Sequence, residues 1–108
     1  MDGEREEFAS LSDLFAVLAG KIGEVSATVR GEVTEYRRGD VRFAVVDSTG
    51  ADLRLLPDIA EAAGRTPSTG PSERGPDWIR FAPPEIDEHA LDRARAWFQV
   101  AWRAARRG

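Results

Sequence analysis

The chain has 108 residues, 42% apolar and 31% charged, enough for one core that buries roughly 65% of its unfolded surface and too few for two. It contains no cysteine, which excludes disulfide frameworks, thiolate metal sites and cysteine nucleophiles. The formal net charge of −4 argues against broad attraction to nucleic acid, but it is unevenly spread: residues 1–24 hold six acids against two bases, and residues 93–107 hold five arginines and no acid.

The first twenty or so residues read as an amphipathic helix, because Phe8, Leu11, Phe15, Leu18 and Ile22 recur at helical spacing; Gly20 or Gly23 ends it. Asp2, Glu4, Glu6 and Glu7 stand where a signal peptide would be basic, and the longest apolar stretch, Leu14 to Ala19, is far too short for a bilayer. These features predict a cytoplasmic protein with no membrane contact. From Val25 the period changes to two, through Val25, Ala27 and Val29 and again from Val33 to Arg38. Gly39 and Asp40 are turn residues before a strand at Val41 to Asp47, so 33–47 reads as a hairpin. A turn at 48–51 leads to the strand Asp52 to Leu56, and Pro57 opens a short helix to Ala63, stopped by Gly64. Residues 65–77, with three prolines and two glycines, predict a long surface loop. The strand Trp78 to Ala82 is cut by Pro83 and Pro84. Asp87 then caps a long helix whose Leu91, Ala94, Phe98, Ala101 and Ala105 share one face. The fold class is α+β: an antiparallel sheet, a meander plus a later strand, packed against N-terminal and C-terminal helices.

Alternation places Phe43, Val45, Leu53, Leu55, Ile79 and Phe81 on the face that meets the helices. Their neighbours face the other way, which puts Arg42, Arg54, Trp78 and Arg80 on an open face, joined by Arg37 if Gly39 and Asp40 form a two-residue turn. Arginines around one aromatic suit an anion, a nucleic-acid strand or an acidic partner; the plainer alternatives are a solvated face whose arginines shield Trp78 and Val46, or the C-terminal helix packing there instead. On the last helix, Trp97, Val100 and Trp102 widen the apolar arc enough for a homodimer through that helix to be considered.

The residues offer no catalytic constellation. His89 has no further metal ligand or nucleophile at a useful spacing, no serine sits in a Gly-x-Ser-x-Gly elbow, and no glycine-rich phosphate loop occurs. Glu85, Asp87, Glu88 and Asp92 gather where a helix start favours negative charge, a structural role. No catalytic residue, metal site or cofactor is expected.

The segments "GDVRFAVVD", "DLRLLPDIAEAAG" and "DWIRFAPPEIDEHALDRARAWF", in their order of meander, short helix, Trp-led strand and long helix, resemble the MmcQ/YjbR-like family of small bacterial proteins. The resemblance would cover nearly the whole chain as a single domain, 1–108. It implies an α+β fold and little about activity, since most members have none established and a DNA-binding role has been proposed only by fold similarity. The expected function is a non-catalytic binding or protein-interaction module, with a protein partner or self-association. The alternative is nucleic-acid binding through the arginine-bearing sheet face and the arginine-rich C-terminal helix, which the acidic total disfavours.

Overall fold

In the computed structural model, which describes residues 8–105, the first helix begins later than its apolar spacing suggests. Ser10 is extended (φ −154°, ψ 163°), and its hydroxyl accepts a hydrogen bond from the Asp13 amide at 3.1 Å, capping α1 (Leu11–Ile22). Phe8 precedes the helix and packs against the rim of the core. The remaining part of the expected helix, residues 1–7, lies outside the described residues. Gly23, at φ +88°, ends α1.

A four-stranded meander follows, β1 (Ser26–Arg30), β2 (Val33–Arg38), β3 (Val41–Val46) and β4 (Ala51–Arg54). Gly31 and Gly39 both lie at φ +63°, where the two-residue hairpin turns of β1–β2 and β2–β3 require a left-handed backbone. Pro57 opens α2 (Pro57–Ala63), as its fixed φ favours. The expected loop at 65–77 instead contains a strand, β5 (Thr69–Ser72), which turns back and pairs with β6 (Gly75–Phe81). Gly70 and Pro71 give β5 no apolar alternation, so its place is set by main-chain pairing, and Pro71 is tolerated because β5 is an edge strand. The sheet order is β1-β2-β3-β4-β6-β5, antiparallel throughout. The chain closes with α3 (Glu88–Ala105), capped by Asp87, whose carboxylate accepts the Ala90 amide at 2.8 Å.

The helices α1 and α3 cover one sheet face. Phe98 of α3 sits at its centre, with ring centroids 4.6 Å from Phe15, 5.2 Å from Phe43 and 5.6 Å from Tyr36. Leu91, Ala94, Ala101 and Ala105 are buried with it, as the periodicity of the last helix predicts. One strand departs from simple alternation. Tyr36 pairs with Ala44 but Arg37 pairs with Arg42, which leaves Phe43 as the extra residue of a β-bulge. The bulge sends both Phe43 and Ala44 into the helix-side core and reverses parity beyond them. Val46 therefore joins the core, and Val45, expected there, turns to the opposite face between Glu35 and Asp52.

Candidate functional site

The face away from the helices is uncovered among the described residues, and its side chains can be traced row by row. Cross-strand pairing sets Glu35, Val45, Asp52 and Arg80 in one line across β2, β3, β4 and β6. Arg37 pairs with Arg42, and Arg54 with Trp78, on the same face. The structure thus brings Arg37, Arg42, Arg54, Trp78 and Arg80 onto one surface.

What alternation of the arginines alone did not reveal is how far they are matched by acids. Asp52 is only 5% exposed and accepts three hydrogen bonds: from the Ser72 hydroxyl at 3.0 Å, from Arg74 Nε at 3.1 Å and from Arg80 Nη1 at 3.1 Å. A buried carboxylate is tolerable only with such partners. Arg80 also donates through Nη2 to Asp47 at 2.9 Å and to the Thr49 hydroxyl at 2.6 Å. Its hydrogen bond to Asp47 is the main cause that raises the Arg80 pKa against burial. Burial alone would raise the Asp47 carboxyl, but the hydrogen bonds from Arg80 and from the amide and hydroxyl of Thr49 prevail and lower it to about 2. Glu35 accepts from Arg37 at 3.2 Å and from Arg42 at 3.3 Å. Burial opposes ionisation of Glu35, and the two guanidinium groups together outweigh it, so its pKa is lowered.

Trp78, 9% exposed, is shielded by the guanidinium groups of Arg42, 5.6 Å from its ring centre, and Arg74, 6.0 Å away. Arg54 is its cross-strand neighbour, and the Arg54 side chain makes no ion pair or hydrogen bond among the described residues. Beside Trp78 lies a concavity of about 600 Å³, lined chiefly by Arg42, Asp47, Asp52, Ser72, Arg74 and Arg80, with Glu73 at its edge. Arg74 and Ser72 belong to the β5–β6 hairpin, so no reading of 65–77 as a loop could place them. Glu35 and Asp52 carried a signal, since each stands two residues from an arginine in the same strand.

Ser72 donates its hydroxyl to Asp52, but both Asp52 oxygens are already engaged, and no histidine stands beside them to receive a proton. His89 lies elsewhere, exposed in the first turn of α3, beside a separate hollow of about 330 Å³. Among the described residues no three His, Cys, Asp or Glu side chains are grouped to hold a metal ion, and no helix is long and apolar enough to cross a membrane.

The arginines of α3 do not extend this surface. The helix packs on the opposite side of the sheet, where Arg95 pairs with Asp92 at 3.0 Å. Trp97 and Trp102 are both partly buried: Trp97 packs edge-on against Phe81 at 5.2 Å, and Trp102 lies beneath Arg38, whose guanidinium is 3.6 Å from its ring centre. Compared with known proteins, the chain matches no family model, no curated protein and no solved structure.

Proposed function

We propose that the chain is a non-catalytic binding module that holds an acidic segment of a protein partner on its uncovered sheet face. The observation that carries this reading is the pairing of Arg54, a cation with no carboxylate partner among the described residues, with Trp78, which two further guanidinium groups flank. An acidic side chain reaching this spot would gain a charge-assisted hydrogen bond without breaking an existing one. The remaining arginines hold Glu35, Asp47 and Asp52, so the surface presents mixed polar chemistry and little net field. That balance favours a protein partner over a nucleic acid, whose affinity scales with the number of unmatched cations. The kinship with MmcQ/YjbR-like proteins and a cytoplasmic setting are part of the same proposal, and both rest on the sequence alone.

Nucleic-acid binding is the second reading, supported by the combination of arginines with an aromatic on a sheet face. Fluorescence anisotropy with a labelled oligoglutamate peptide and with labelled single- and double-stranded DNA, at low and moderate salt, separates the two. The proposal expects peptide binding that Arg54→Glu abolishes; DNA binding with a steep salt dependence selects the second reading, and binding of neither probe rejects both.

A further inference from the structure

The two edges of the sheet differ in a way that the sheet-face reading does not use. β5, at one edge, is blunted by Pro71 and by an irregularity in its pairing with β6 between Pro71 and Ser72. Such devices prevent edge-to-edge association. β1, at the other edge, has none of them: Ser26–Arg30 is regularly paired to β2, contains no proline, and is exposed along its full length. Val29, 67% exposed, is one of two large apolar residues left in solvent among the described residues.

Pairing with β2 fixes which groups β1 offers. Its two-residue turn makes Arg30 and Val33 the closing pair, so alternate residues bond inward to β2 while the amides and carbonyls of Ala27 and Val29 turn outward. Ala27 stands opposite Tyr36 and Val29 opposite Thr34, so both side chains lie on the helix side of the sheet, beyond the helices' cover. Val25 extends the same row.

We propose that β1 is a self-pairing edge, through which two copies of the chain join their sheets antiparallel about a twofold axis at Ala27. The occupant is a second copy because the strand is complementary to itself in this register. Ala27 meets Ala27 of the second copy, and Val25 of each copy meets Val29 of the other. At the ends of the ladder Glu24, which leaves the strand at φ +57° and pairs with Arg38, comes near Arg30 of the other copy. A register shifted to Thr28 would set Glu24 against Glu32 and employ the inward-bonded residues, so it is disfavoured by charge and by hydrogen bonding. In the resulting double sheet the two arginine-bearing faces lie side by side, which would give a partner two equivalent sites.

Light scattering over a concentration series up to the millimolar range tests the interface. The wild-type chain is expected to reach twice its 11.9 kDa mass, and Val29→Lys, which sets a charge against Val25 of the second copy without disturbing the core, is expected to return it to monomer. Ala27→Pro, which removes an outward amide, should do the same, with circular dichroism confirming that the fold persists. Amide exchange at Ala27 and Val29 should slow as wild-type concentration rises. A wild type that stays monomeric, or a dimer that survives both substitutions, overturns the proposal; in the latter case the dimer runs through another surface.

Discussion

Arg80 on β6 stands directly across from Asp52 on β4, and its guanidinium reaches past that carboxylate to Asp47, so one side chain ties the third hairpin's loop to the strand beside it. Asp52 is only 5% exposed, so these donors supply the hydrogen bonds that water cannot. Arg80→Ala leaves Asp52 with only Arg74 and Ser72, and the expected cost is about 3 kcal/mol, measured by urea unfolding. Asp52→Ala should cost a similar amount, and the double variant less than the sum, since neither buried partner is then stranded. Additive losses would show that the pair is not coupled.

The pH dependence follows from Asp47. Its folded pKa, about 2, lies below the ordinary value of 3.8, so the stability it contributes is fully present above about pH 4 and is lost as pH falls toward 2. Glu35, also lowered, adds to the same acid limb. Asp47→Asn keeps an acceptor for the Thr49 amide but cannot ionise. Thermal melts between pH 2 and 5 should therefore fall less steeply for this variant than for the wild type.

Gly50 lies where β4 begins against the end of β6. A Cβ at this position would stand 2.6 Å from the Phe81 carbonyl oxygen and 3.0 Å from the Ala82 Cβ, and main chain on that side cannot yield as a flexible side chain would. Gly50→Ala is expected to lower stability by about 2 kcal/mol, read as a drop in melting temperature. Gly20→Ala, with open space around the added carbon, should be neutral or slightly stabilising.

Arg38 joins three elements. It donates to the Trp102 carbonyl at 3.1 Å in the last turn of α3, where helix carbonyls lack partners within the helix; it covers the Trp102 ring, and it pairs with Glu24 at 2.8 Å. Arg38→Ala should destabilise by about 1–2 kcal/mol and shift tryptophan emission to the red as Trp102 becomes hydrated. Arg38→Lys should recover little, because an ammonium cannot stack flat on the ring while reaching both acceptors.

The helix stripes and the parity of β4 and β6 were legible because the helix-facing positions there carry clear apolar residues, as with Leu53, Ile79, Phe81 and Phe98. The bulge at Phe43 was not, since an extra residue in a strand has no side-chain signature and is fixed by how β2 and β3 register. β5 escaped notice for a related reason: Thr69, Gly70, Pro71 and Ser72 are held by backbone pairing with β6. On the candidate face, five residues were readable from alternation. The acids that restrain them were readable one strand at a time, but which arginine meets which acid depends on the strand order β3-β4-β6. Asp47 and Arg74 come from loops at opposite ends of the strands that bring them to Arg80 and Asp52.

The most direct test of the binding face uses the chain's three tryptophans as reporters of three different places. Trp78 lies on the arginine-bearing face, Trp97 against Phe81 and Trp102 beneath Arg38. In a titration of isotope-labelled protein with an oligoglutamate peptide, followed through the indole N–H resonances, the account predicts a saturable shift at Trp78 with Trp97 and Trp102 unmoved, and its loss in Arg54→Glu. Shifts confined to Trp97 or Trp102, or none at Trp78 at saturating peptide, would contradict it.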